Sequence, residues 1–147
     1  MAWRKPDADD LVATLSQREV DAFRRSADFA FDPVERLLSR TVAMVRGYIR
    51  SGGKCRLSPD ESLIPESTIS KAMDYAAFDV LKRLSILPNE ARTKARESAE
   101  DYFRRIGDGG LVPESHGADE TAGTNGPCIE IVTSSRHRIT TRSMEGF

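Results

Sequence analysis

Apolar residues recur at steps of three and four over three long stretches of this chain, and each stretch carries its own start and stop signals. The clearest covers residues 32–51, DPVERLLSRTVAMVRGYIRS. Val34, Leu37, Leu38, Thr41, Val42, Val45, Tyr48 and Ile49 fall on one stripe of a helix, with Glu35, Arg36, Ser39, Arg40, Arg46 and Arg50 opposite. Asp32 is placed to accept an orphan backbone N–H, Pro33 presets φ at the first helical position, and Glu35 stands three residues after the cap. Gly52 and Gly53 follow, and glycine tolerates the left-handed conformation that closes a helix. Ordering the backbone costs about 1 to 2 kcal/mol per residue, so such a helix needs partners with matching apolar stripes.

Two partners follow. The first begins near Pro65 and runs to about Ile86, with Ile69, Ala72, Met73, Ala76, Ala77, Val80, Leu81 and Leu84 in register and Tyr75 and Phe78 widening the stripe. Its alanines allow close approach, which predicts the most buried helix. Asp74, Asp79, Lys82 and Arg83 form the remaining wet face, where Asp79 and Arg83 have the spacing of a surface ion pair. Pro88 stops this helix, and Asn89 caps a third through about Ile106, with Ala91, Ala95, Ala99, Tyr102, Phe103 and Ile106 inward. Its outer face carries Arg92, Lys94, Arg96, Arg104 and Arg105 among several carboxylates.

The segments around these helices are shorter. Asp7 caps a turn containing Leu11, Val12 and Leu15, and Ser16 with Glu19 repeats the capping-box spacing before Val20 and Phe23. Two short helices with a tight junction admit a helix-turn-helix reading, but the second lacks a cluster of base-reading side chains with basic flanks. Arg24 and Arg25 suit the negative end of a helix dipole. Phe31 precedes the Asp32 cap, where an apolar residue staples onto the first turn. Residues 52–64, GGKCRLSPDESLI, form a long loop of the kind that is functional or mobile.

After Gly107 the pattern breaks. Residues 107–127 are rich in Gly, Pro and small polar residues and read as a flexible linker. Residues 128–147 regain β-branched residues in two short alternations, one over Ile129–Val132 and one around Ile139. Two short strands make no independent sheet, so they either fold back onto the helices or are completed by another molecule. Extended, residues 127–147 reach roughly 70 Å at about 3.3 Å each. The expected fold is therefore all-α: a small helical bundle over 1–106, three long helices plus short N-terminal ones, followed by a linker at 107–127 and an extended C-terminal arm at 128–147 with strand-forming segments.

Composition narrows the chemistry. With 39% hydrophobic and 31% charged residues and a net charge of -1, the chain has the balance of a globular domain with a polar surface. Neither nucleic acid nor membrane is demanded by that charge, and no apolar run reaches membrane-spanning length. Cys55 and Cys128 read as two reduced thiols, and no Cys or His spacing suggests a metal. GDGG lacks the Lys-Ser/Thr of a phosphate-binding loop, and His116 and His137 are isolated. These features predict no cofactor, no metal and no enzymatic activity.

The segments DADDLVATLSQREV, DPVERLLSRTVAMVRGYI, LIPESTISKAMDYAAFDVLKRL and the terminal RHRITTRSMEGF, taken in order, resemble the bacteriophage head-tail connector proteins, also called adaptors or head-completion proteins, including those of Mu-like phages. The ending, Ser-x-x-Gly-Phe-like, is the most distinctive part, and the long stretch between Gly107 and Pro127 departs from the family pattern. The resemblance implies a non-enzymatic virion protein, made in the host cytoplasm. It implies a dodecameric ring docked on the portal protein, contacts between neighbouring copies, and a platform for the next connector or tail protein. Double-stranded DNA would pass through the lumen without sequence readout. It places portal or neighbouring-subunit contacts at Ile139, Thr140, Arg142, Met144 and Phe147. Arg92, Lys94, Arg96, Arg104 and Arg105 are candidates for a lumen-facing or intersubunit basic surface on the separate ground that phosphate attraction needs no base-specific geometry. The alternative is a small DNA-binding or packaging-associated helical module.

Overall fold

The computed structural model describes residues 2–27 and 30–117. The chain folds in the order β1 (Trp3–Arg4), α1 (Ala8–Thr14), α2 (Gln17–Arg25), α3 (Pro33–Gly52), β2 (Ile64–Pro65), α4 (Glu66–Arg83) and α5 (Glu90–Gly107). The architecture over these residues is helical, as the apolar periodicity requires, with one two-residue antiparallel ladder pairing Trp3 with Pro65 and Arg4 with Ile64.

Local signals account for most boundaries. The Asp7 carboxylate accepts from Asp10 N, and the Asp10 carboxylate accepts in return from Asp7 N, both at 3.0 Å. Ser16 and Glu19 form the second capping box. Leu15 and Val20, at the staple positions on either side of that cap, are both buried. At α3, Asp32 accepts from Val34 N at 3.0 Å with Pro33 in the first turn, and Gly53 closes the other end at φ +66°, where a Cβ would be strained. Asn89 accepts from Arg92 N to open α5.

Two boundaries differ from the pattern. Helix α4 ends at Arg83 rather than near Ile86, because Ser85 takes a left-handed conformation at φ 56°. Ser85 N donates to Lys82 O and Ile86 N to Leu81 O, a Schellman closure that stops the helix before Pro88 can. Phe31 does not staple: it is 70% exposed, and the residue it would meet one turn on is Arg36, whose guanidinium lies 6.0 Å from its ring.

The core is one contiguous cluster drawn from all five helices, Leu15 and Ile64. Helix α4 packs against each of the other four, and its Ala72 and Ala76 are fully buried, so the small residues permit the close approach expected of them. Helices α3, α4 and α5 form the body, and α1 and α2 lie across α4 and α3. Gly52 lets α3 and α5 meet, since a Cβ there would stand 2.3 Å from Ile106 O. Among the described residues, no helix is long and apolar enough to cross a membrane.

Candidate functional site

The five basic positions of α5 do not make one uniform surface. Arg96 has turned inward: it donates to Asp79 Oδ1 at 3.0 Å, to Glu100 Oε1 at 2.7 Å and to Tyr75 O at 3.0 Å. Its guanidinium lies 3.3 Å from the centre of the Tyr75 ring. Burial opposes the Arg96 charge, and the carboxylates of Glu100 and Asp79 outweigh that, holding its pKa above the usual value. Arg96 therefore ties α5 to α4. Asp79 is engaged by Arg96 and not by Arg83, which lies 5.9 Å from the Phe23 ring. The expected surface pair is replaced by a link between helices.

Arg92 Nη2 reaches Glu19 Oε2 on α2 at 3.5 Å, while its Nη1 is buried with no hydrogen-bond partner. Lys94 pairs with Glu90 at 2.6 Å and Arg104 with Asp101 at 3.2 Å. Arg105 is exposed, and its carbonyl accepts from Gly110 N and Leu111 N as the chain leaves α5. Four of the five cations thus have a carboxylate within ion-pair range, which weakens any attraction to phosphate along this face.

A second constellation surrounds the lone tryptophan. Arg46, on the face of α3 that the pattern assigned to solvent, is only 7% exposed. Its guanidinium donates to Ser58 O at 2.8 Å, Asp60 O at 2.9 Å and Leu63 O at 2.8 Å, and stands 5.9 Å from the Trp3 ring. The planar fork of arginine suits three carbonyls converging from one loop. Residues 54–63 are consequently pinned to α3. Ser58 is buried, and the Asp60 carboxylate accepts from Ser62 N at 2.9 Å and Ser62 Oγ at 2.7 Å, which draws its pKa below the usual carboxylate range.

Residues 108–117, the beginning of the expected linker, run back over this loop. Trp3 Nε1 donates to Glu114 O at 2.9 Å and Cys55 Sγ to the same carbonyl at 3.2 Å. Arg56 N donates to Ser115 Oγ at 3.3 Å, and His116 N returns to Arg56 O at 2.9 Å. Ser67 Oγ donates to Glu114 Oε2 at 2.5 Å. The His116 ring meets Trp3 edge-on with centroids 5.8 Å apart. His116, isolated in sequence, is packed in space. Burial raises the pKa of the Cys55 thiol, so it is a poorer nucleophile than a free cysteine. Among the described residues no three His, Cys, Asp or Glu side chains gather as a metal-ligand set.

Comparison of the chain with protein-family models, with curated proteins and with solved structures finds no match. The arm positions Ile139, Thr140, Arg142, Met144 and Phe147, the two short strands, His137, Cys128 and the remainder of the linker lie outside the described residues. The periodicity of α3 gave no warning of Arg46, because helical spacing sorts residues into faces without saying which polar side chain a later loop will cover. The one available signal was the loop itself, ten residues with no apolar stripe of their own and hence many carbonyls in need of a donor.

Proposed function

We propose that this chain is a structural protein of a bacteriophage head-tail junction, a connector that docks as a ring on the portal. There it would extend the DNA channel and offer a platform for the tail or the next connector. The observation carrying this reading is the ordered resemblance of its segments to the connector family. DADDLVATLSQREV lies on α1 and α2, DPVERLLSRTVAMVRGYI on α3, and LIPESTISKAMDYAAFDVLKRL on β2 and α4, so the matching stretches build one core rather than scattered pieces.

The anchored segment 108–117 adds support. It holds the last described residues beside Trp3 and Arg56, and a fixed origin suits an arm that must find a partner. Arg105 and the outer side of Arg104 remain available for neighbours or for the channel. The DNA-binding alternative is disfavoured by the carboxylates that accompany Arg92, Lys94, Arg96 and Arg104.

The test is mass photometry or native mass spectrometry of the purified full chain, alone and after mixing with a candidate portal protein. Monomer alone and one copy per portal subunit after mixing are the expected outcomes, with portal binding lost when residues 128–147 are removed. Failure to bind portal, together with a shift on adding duplex DNA that weakens steeply with salt, would replace this reading with the nucleic-acid module.

A further inference from the structure

A concavity of about 630 Å³ lies between the start of α1, the first half of α3 and the turn at residues 61–62. Its floor is apolar, made by Val34, Leu38 and Val42. Its rim carries Lys5, Asp7, Glu35 and Glu61, together with Arg24 and Asp32, which already pair with each other at 3.3 Å. Setting that pair aside leaves three carboxylates against one ammonium. Glu35 and Glu61 are exposed. The groove therefore suits a short segment that is basic and also presents a few apolar side chains.

We propose that the occupant is this chain's own C-terminal segment, residues 136–147, held against its own body before assembly. Three features argue for it. The segment RHRITTRSMEGF carries Arg136, Arg138 and Arg142 against Glu145, opposite in sign to the rim, and Ile139, Met144 and Phe147 to set on the floor. The described chain ends at Gly117, one residue past the His116 ring that packs on Trp3, and Trp3 lies two residues before Lys5 on the groove rim. The intervening residues 118–135 span at most roughly 60 Å at about 3.3 Å each, ample for a groove that begins beside the point of departure. A tethered segment meets its site at an effective concentration on the order of millimolar, which favours its own body over a second copy in dilute solution.

A segment resting in the groove is withheld from other copies until a partner that binds it more tightly takes it away. This goes beyond the connector reading and stands independently of it, because it concerns this chain alone.

The test uses the full chain with Met144→p-benzoylphenylalanine as a photo-crosslinker, in an equal mixture of heavy-isotope and ordinary copies. Crosslinks should map to the start of α1, the first half of α3 and residues 61–62, and should join residues of the same isotope. The Glu35→Arg/Glu61→Arg variant, altered only at exposed positions and checked for unchanged helical circular dichroism, should lower the yield by about fivefold. Arg138→Glu/Arg142→Glu alone should lower it similarly, and combining the two reversals should restore it. Crosslinks elsewhere on the body, crosslinks joining heavy to ordinary copies, indifference to both reversals, or no crosslink at all would each overturn the proposal. Portal binding is read separately, so either idea can fail while the other stands.

Discussion

Replacing Arg46 by methionine keeps most of the aliphatic volume of the side chain and removes its five donors. Three loop carbonyls, those of Ser58, Asp60 and Leu63, then lose a charged partner within 2.9 Å. Hydrogen bonds to a charged group contribute about 1.5 to 3 kcal/mol each. Against their sum stands the cost of holding a guanidinium at 7% exposure, several kcal/mol that the methionine variant no longer bears. The loop can also admit water. The net loss expected is about 2 to 4 kcal/mol, read as a lower midpoint in urea unfolding followed by helical circular dichroism. Amide hydrogen exchange should accelerate over residues 54–63, and Trp3 emission should shift, since its ring stands 5.9 Å from the guanidinium. Arg46→Lys separates charge from geometry, because an ammonium cannot reproduce the fork; it should recover less than half of the loss. An unchanged midpoint in Arg46→Met, or full recovery in Arg46→Lys, would refute the account.

Four further outcomes follow from particular contacts. Gly47→Ala should stabilise by about 0.5 to 1 kcal/mol in thermal unfolding, since no atom lies within 4 Å of the added Cβ and alanine favours the helix, whereas Gly52→Ala should destabilise by about 1 to 3 kcal/mol because its Cβ would meet Ile106 O. Ser85→Gly should stabilise by about 1 kcal/mol in thermal unfolding by relieving the left-handed strain at the end of α4. Hydrogen bonds from Arg4 hold the Asp10 pKa low, and the Ser16 backbone N–H does the same for Glu19. Their folded values lie below the unfolded ones, so the stability they contribute is complete above about pH 5 and is lost as pH falls through roughly 4 and the folded values, in an acid titration of the melting temperature; Asp74, raised by burial, works with the opposite sign.

The helical body was largely legible in the sequence because its signals are local. Asp7, Ser16, Asp32 with Pro33, Gly53 and Asn89 each act within a few residues of themselves, and each has the role that its position announces. The apolar stripes of α3 and α4 also hold, with Tyr48 at 37% exposure as the edge of the α3 stripe. What the pattern could not reveal depends on contacts between distant segments. Trp3 has no periodic neighbours, yet it gathers Arg46 from α3 and Glu114 and His116 from the segment after α5. Arg96 reads as one cation with Glu100 a turn further along the same helix, and only the crossing of α4 and α5 brings Asp79 and Tyr75 to it. Ser85 lacks the glycine that would have marked the end of α4.

The two inward arginines divide the work of holding this small body together. Arg96 joins helix to helix, and its charge is met by the carboxylates of Asp79 and Glu100. Arg46 joins helix to loop through neutral carbonyls, so its hold on residues 54–63 is insensitive to carboxylate titration and depends on geometry. That loop is in turn the surface on which residues 114–116 are seated, through Cys55 and Arg56. Loosening Arg46 should therefore free the anchor of the C-terminal segment while leaving α3, α4 and α5 paired, whereas loosening Arg96 should weaken the α4–α5 pairing and spare the anchor. A partner that needs a fixed point of departure for the arm would feel the first change more than the second, even where both cost the same stability.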